Sequence, residues 1–167
     1  MTSGHRKRND MYHTDYELML LQMKSLMEDV EYDITNLANA SALIYESMKG
    51  LNWAGFYLYR NDELVLGPFQ GKTACTRIPM GKGVCGTAAL SGQIQVVPDV
   101  HQFPGHIACD SASNSEIVLP IIVNGGLIGV MDIDSPEFNR FTPEDAEGLA
   151  SLCNVLASQV CWDGGLL

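Results

Sequence analysis

The feature of this sequence that most constrains its fold is a pair of apolar, β-branched runs joined by a tight-turn signal. Residues 117–123 and 127–133 flank Asn124-Gly125-Gly126, and asparagine followed by glycine is the strongest short signal for a hairpin turn. Parallel neighbouring strands would need a crossover connection of about a dozen residues or more. The sequence therefore predicts an antiparallel sheet with these two strands near its centre.

A second hairpin is predicted upstream of the first. Residues 53–59 are rich in aromatic side chains, and residues 63–69 resume an apolar stretch after the turn signal Asn61-Asp62. The glycine-rich stretch that follows, residues 73–100, predicts loops interrupted by a short helix at 84–90 and a strand at 93–97. Two hairpins also disfavour a doubly wound parallel fold, because they occupy the places of crossover helices.

Amphipathic helices are predicted on both sides of these strands. Residues 16–30 carry apolar side chains at helical spacing, and Asp33 is placed to cap a second helix that Gly50 stops. Thr142, followed by proline and two acids, opens a last helix that runs to about residue 160. With 167 residues, 46% of them apolar, we predict one α+β domain with helices packed on one face of a central antiparallel sheet.

Charge and composition exclude several classes of function. The net charge of −10 repels nucleic-acid phosphates and anionic membrane surfaces, so we expect no nucleic acid and no membrane as a partner. Neither a membrane-spanning apolar run nor a secretory signal is recognisable, which predicts a cytoplasmic protein. We expect a flexible polar leader at residues 1–14, the domain at 15–161 and a short tail at 162–167, folded alone or as a homodimer.

The five cysteines are expected to be thiols, because disulfides seldom persist as permanent cross-links in a reducing compartment. Cys153 and Cys161 belong to the last helix and its end, where packing is the expected role. Cys75, Cys85 and Cys109 lie in the loop-rich middle, where packing, metal binding and thiol chemistry all remain open. Structural zinc ligands usually come in pairs two to four residues apart. No such cysteine pair exists here, so we expect no metal.

The surroundings of two of these cysteines favour thiol chemistry. Cys109 is close in sequence to His101 and His106, and a nearby imidazolium lowers the pKa of a thiol. Cys85 lies at the predicted start of the short helix, where the positive end of the helix dipole also favours the thiolate.

Three carboxyl groups are predicted to meet at one end of the 117–133 hairpin. The two-residue period of a strand puts Asp132 and Asp134 on one face, and hairpin geometry brings Glu116 next to them. Repulsion between like charges raises the pKa of at least one of them, and a carboxyl that stays protonated near neutral pH can act as a general acid. The alternative is a solvated sheet end. Trp53 is either a core residue or one wall of a pocket.

The cysteines, histidines and acids fall in four short segments: GKGVCG (81–86), GHIACD (105–110), SNSEIVLP (113–120) and GVMDIDS (129–135). Together these segments resemble the free methionine-(R)-sulfoxide reductases, the catalytic branch of the GAF-domain superfamily, over about residues 15–160. The resemblance implies a GAF-like fold and a thioredoxin-dependent oxidoreductase that reduces free methionine-(R)-sulfoxide to methionine without a bound cofactor. A non-catalytic GAF module that senses a small molecule is the alternative.

The resemblance also implies roles for individual residues. Cys109 corresponds to the family's nucleophile and Cys75 to its recycling thiol, while Cys85 matches a third cysteine and stays a second candidate for resolving the sulfenic acid. The implied substrate-binding residues are Trp53, Asp99, Glu116, Asp132 and Asp134. Either Glu116 or the Asp132/Asp134 pair is expected to protonate the sulfoxide oxygen.

Overall fold

Within residues 12–107, 109 and 111–162, which this computed structural model describes, the chain forms six β-strands and four α-helices. In chain order these are α1 (Tyr16–Met27), α2 (Asp33–Ser47), β1 (Trp53–Arg60), β2 (Glu63–Gly71), β3 (Arg77–Pro79), α3 (Gly83–Ser91), β4 (Gln95–Val97), β5 (Ser115–Val123), β6 (Gly126–Ser135) and α4 (Pro143–Gln159). A short 3-10 helix, Val100–Gln102, follows β4. The three-residue β3 and the 3-10 helix were not predicted, because elements this short carry no readable period.

Both predicted hairpins are confirmed. Val123 pairs with Gly126, which leaves Asn124 and Gly125 as a two-residue turn with φ of 51° and 79°. Arg60 likewise pairs with Glu63. Two consecutive residues with positive φ are the requirement of the hairpin turn whose twist matches that of the strands. The local turn chemistry therefore sets the pairing next to each turn. Farther from the turns, the register of each hairpin shifts by one residue, between Gly55 and Tyr57 and between Ile121 and Ile122.

The six strands form one sheet in the order β3-β2-β1-β6-β5-β4, and every neighbouring pair is antiparallel. Alternate residues of each strand face opposite sides. On one side, Phe56, Leu119 and Met131 pack against the apolar faces of α1, α2 and α4. The predicted α+β class is confirmed, and the expected packing of helices on one face holds for these three helices.

The helix α3 lies on the opposite face of the sheet. It packs with Tyr57, Val118 and Val130, which alternate with the residues facing the other helices. This second layer covers the part of the sheet where β1, β5 and β6 carry their polar side chains. None of the described helices is both long and apolar enough to cross a membrane.

The predicted leader and tail fall mainly outside the described residues, so the boundaries of the domain stay predictions. Of the leader, Thr14 is buried, and the ring of Tyr12 lies 4.6 Å from the guanidinium carbon of Arg140. Asp33 does not cap α2 as expected: it is the first residue of that helix. Its carboxylate instead accepts hydrogen bonds from the backbone amides of Cys161 and Trp162 at 3.0 and 2.9 Å.

A buried ion pair anchors the start of α4, and its loss should destabilise the fold. Asp145 Oδ2 lies 3.1 Å from Arg140 Nη1, and the two side chains are only 6% and 1% exposed. Asp145 also closes a capping box with Thr142 and accepts a hydrogen bond from Tyr16. Asp145→Ala leaves a buried guanidinium without its partner, and we expect it to lower the free energy of unfolding by about 3–5 kcal/mol.

Urea denaturation measures this loss, and Glu144→Ala is the matched control. Glu144 is an exposed acid in the same first turn of α4, so its removal should cost less than about 1 kcal/mol. A loss for Asp145→Ala no greater than that of Glu144→Ala would contradict the assigned role of the ion pair.

Candidate active site

The strand register brings Trp53 and the three acids together on the sheet face covered by α3. Trp53 pairs with Asp134 across β1 and β6, and Asp134 pairs with Glu116 across β6 and β5. Asp132, two residues before Asp134, lies on the same face in the adjacent row. The predicted convergence of the three carboxyl groups is therefore present.

Glycines let α3 approach this cluster closely. A Cβ on Gly86 would lie 2.6 Å from the carbonyl oxygen of Pro79, so only glycine fits at that point. Gly83, the first residue of α3, has a φ of 62°, which favours glycine. The result is that Cys85, in the first turn of α3, has its Sγ 3.7 Å from Glu116 Oε1.

Burial dominates the electrostatics of the acids. Glu116, Asp132 and Asp134 are 7%, 6% and 9% exposed. Burial raises the pKa of Glu116 well above its ordinary value, and the charges of Asp132 and Asp134 raise it further. Burial also raises the pKa of Asp132, to about 6. Burial and the neighbouring charges therefore favour the protonated form of Glu116, which shares a side-chain hydrogen bond with Asp132.

The same surroundings overturn the expectation for Cys85. We expected the helix start to favour its thiolate, but burial, followed by the charges of Asp132 and Glu116, raises the pKa of this thiol well above its ordinary value. A helix dipole contributes about 0.3–1 kcal/mol in typical settings, which is smaller than the cost of placing an anion in a dry, acidic pocket. Cys85 is therefore a buried, neutral thiol.

The five cysteines divide into a disulfide and three free thiols. Cys75 and Cys109 form a disulfide with a Cα–Cα distance of 5.4 Å, whereas Cys85, Cys153 and Cys161 are free. Cys153 is buried among the core residues under α4, and this confirms its predicted packing role. The same prediction for Cys161 is wrong, because α4 ends at Gln159 and leaves Cys161 exposed beyond it.

The disulfide and the acids line one cavity. The volume of this cavity, counted as the space that the centre of a water molecule can occupy, is about 40 Å³. This is enough for a few water molecules. The lining residues include Trp53, Tyr57, Lys82, Gly83, Cys85, His106, Ile107, Cys109, Ser113, Glu116, Asp132 and Asp134. Cys75 lies at this cavity through its bond to Cys109. All the predicted site residues except Asp99 are thus brought together.

Two aromatic rings build one wall of the cavity. Trp53 is 2% exposed; its ring stacks on Phe69 and Tyr57, with centroids 5.2 and 5.9 Å apart. The Trp53 Nε1 donates to the carbonyl of Lys72, so an apolar face is left for the cavity. Tyr57 was missed from sequence. The signal was present, since the two-residue period of β1 places it on the same face as Trp53.

Asp99 does not belong to this group. Its Oδ1 accepts from the backbone amide of His101 at 3.0 Å and lies 2.8 Å from His101 Nδ1. It caps the 3-10 helix after β4 and is not among the residues that line the cavity. Its predicted role as a pocket acid is therefore replaced by a structural one.

His106, rather than His101, lines the cavity beside Cys109. Burial, and then the charge of His101, lowers the pKa of His106, so its imidazole is neutral at neutral pH. His101 is mostly exposed and engaged with Asp99. His106 can therefore donate or accept a hydrogen bond at the cavity, but it does not supply the imidazolium that we expected near Cys109.

Comparisons with known proteins agree with this arrangement. The family model described as GAF domain matches residues 23–160. The chain is 63% identical over 119 residues to the Escherichia coli protein named free methionine-R-sulfoxide reductase, covering 71% of this chain and 72% of that one. The Saccharomyces cerevisiae protein of the same name is 48% identical over 148 residues, with 84% and 82% covered.

A solved structure extends the similarity to three dimensions. The X-ray structure of the Neisseria meningitidis free methionine-R-sulfoxide reductase in complex with its substrate superposes with a TM-score of 0.85 at 45% identity, covering 89% of this chain and 90% of that one. Fold and sequence thus agree: this chain belongs to the GAF-domain family and, within it, to the group of the free methionine-R-sulfoxide reductases.

Proposed function

We propose that this protein reduces free L-methionine-(R)-sulfoxide to L-methionine. The observation that carries the proposal is the Cys75–Cys109 disulfide, whose Cys109 lines one cavity with the buried Glu116, a carboxyl group of raised pKa. The relatives that share the fold at high identity are named for this reaction.

Sulfoxide reduction needs an acid and a thiolate together, because a sulfoxide sulfur is a poor electrophile until its oxygen is protonated. In the proposed step Glu116 protonates the oxygen while the Cys109 thiolate attacks the sulfur. The attack forms a sulfur–sulfur bond. That bond and the sulfur–oxygen bond of the substrate then break as the hydroxyl group transfers to the Cys109 sulfur, and methionine leaves. The substrate sulfur is reduced by two electrons, and Cys109 is oxidised by two electrons to a sulfenic acid.

The second half of the proposed cycle returns Cys109 to its thiol. The Cys75 thiol attacks the sulfenic acid, water leaves, and a Cys75–Cys109 disulfide forms. The presence of that disulfide, and the burial of Cys85 as a free thiol, support Cys75 as the resolving partner. An external dithiol of the thioredoxin type then reduces the disulfide in the cytoplasm. The narrow cavity suits the disulfide form, which has no substrate to hold.

The lining residues also account for a preference for the free amino acid. The buried carboxylates of Asp132 and Asp134 complement the substrate ammonium group, which a peptide-bound residue lacks. The stacked ring of Trp53 offers an apolar wall for the methyl-sulfur end. In this proposal, backbone amides near Gly83 or Ile107, which both line the cavity, bind the substrate carboxylate.

Turnover of three substrates tests the proposal. With thioredoxin, thioredoxin reductase and NADPH, the free (R)-epimer should be reduced at least about 100-fold faster than the free (S)-epimer or a peptide-bound (R)-sulfoxide, the margin expected when buried polar groups lose their partner. Methionine formed with dithiothreitol in place of NADPH oxidation would retain the reductase and reject thioredoxin as its partner. If neither reductant yields methionine, the sensing module becomes the better hypothesis.

A further inference from the structure

One thiol in the cavity takes no part in the proposed cycle. Cys85 lies opposite Glu116 and Asp132, and a donor atom from each of these three buried residues lies within 4.8 Å of the other two. The Cys85 thiol donates a hydrogen bond to Glu116 Oε1, with 3.7 Å between the sulfur and the oxygen. One soft sulfur donor and two hard oxygen donors therefore lie close enough together to be considered as ligands of one metal ion.

Asp132 supplies a second, independent observation. Its side chain is 6% exposed and lines the cavity, yet its Oδ1 is buried with no hydrogen-bond partner among the described residues. A buried carboxylate oxygen without a partner costs free energy. A ligand that accepts electron pairs, such as a metal ion, would satisfy this oxygen, whereas an ionised carboxylate would not.

One of the donor distances matches that in a tetrahedral metal site. With a zinc–sulfur bond of about 2.3 Å and a zinc–oxygen bond of about 2.1 Å, a tetrahedral angle places sulfur and oxygen about 3.6 Å apart. The observed separation of Cys85 Sγ and Glu116 Oε1 is 3.7 Å. Binding of the ion releases the protons of Cys85 and Glu116. The resulting thiolate with two carboxylates favours zinc over calcium or magnesium, since the latter two prefer oxygen ligands only.

We propose that Cys85, Glu116 and Asp132 form a binding site for Zn²⁺, with the fourth position open to the cavity. The ion is an inhibitor and not a cofactor, because it occupies the carboxylates that we assign to the sulfoxide oxygen and the substrate ammonium group. Zinc should therefore compete with methionine sulfoxide. This consequence, but not the binding itself, rests on the proposed function.

Cobalt binding to the disulfide form of the protein tests the site without turnover. With Cys75 and Cys109 joined, the remaining thiols are Cys85, Cys153 and Cys161. Tetrahedral Co²⁺ bound to a thiolate has a sulfur-to-metal charge-transfer absorption. We expect one equivalent of Co²⁺ to produce this band and Zn²⁺ to displace it.

Matched variants identify the cysteine whose sulfur gives rise to the charge-transfer band. Cys85→Ser should abolish it, Cys161→Ser should leave it unchanged, and Glu116→Gln should weaken Co²⁺ affinity at least about tenfold, the loss typical when a metal site is perturbed. Thermal melting confirms that each variant is folded. Absence of the band in excess Co²⁺, or its persistence in Cys85→Ser, would overturn the proposal.

The outcome is independent of the proposed function. A cobalt band in a protein that does not reduce methionine sulfoxide retains the metal site and rejects the reductase. Turnover of methionine sulfoxide by a protein that gives no cobalt band would retain the reductase and reject the metal site. Zinc inhibition of turnover is measured only as a consequence, because the reduced pair Cys75 and Cys109 also offers thiolates to zinc.

Discussion

Replacing Cys109 with serine should abolish reduction of methionine sulfoxide, lowering turnover about 10³-fold or more. A serine hydroxyl stays protonated at neutral pH and is a much weaker nucleophile than a thiolate, so the first step of the proposed cycle cannot begin. Methionine release measured by chromatography, with dithiothreitol as the reductant, reports on this step because it does not require thioredoxin.

The matched control is Cys75→Ser, since Cys75 is the disulfide partner of Cys109. This variant should still release one methionine per protein in a single turnover, and its Cys109 should then react with a sulfenic-acid reagent. Multiple turnover with thioredoxin should be lost, because the disulfide that thioredoxin reduces cannot form. Retained turnover in Cys109→Ser together with no methionine from Cys75→Ser would exchange the roles of the two cysteines.

Local sequence patterns predicted most of the strands and turns that carry the residues of this site. Turn residues such as Asn124 and Gly125 set the pairing next to the turn. A one-residue register shift between Ile121 and Ile122 then places Glu116 beside Asp134. These are interactions between residues that are close in sequence. They can be predicted from sequence because the residues that cause the turn and the strand pairing are the same residues that form the recognisable pattern.

The site properties that could not be predicted from sequence depend on how whole elements pack in the folded structure. The pKa of Cys85 is raised because α3 folds over β5 and β6, which buries the thiol and brings Asp132 and Glu116, 47 and 31 residues away in sequence, close to it. Asp99 was predicted to be a substrate-binding acid, but it caps the 3-10 helix and its carboxylate contacts the imidazole of His101. Neither outcome follows from the local sequence, because each depends on which face an element packs against.

Glu116→Gln should lower turnover about 10²–10⁴-fold, the usual contribution of a positioned general acid, while leaving the fold intact. Glutamine has nearly the same shape as a protonated glutamic acid and can still donate a hydrogen bond to Asp132. It cannot transfer a proton to the sulfoxide oxygen. Glu147→Gln, an exposed acid on α4, is the control and should retain full turnover.

The dependence on pH separates this catalytic role from a structural one. The pKa of Glu116 is raised above its value in the unfolded chain, so its contribution to stability is present below about pH 4.3 and is lost as pH rises through the raised pKa. The Gln variant lacks this loss, and its stability relative to the native protein should increase with pH. Native turnover should fall on the alkaline side as Glu116 loses its proton. Turnover of the variant within tenfold of native, with the same alkaline fall, would show that another group is the acid.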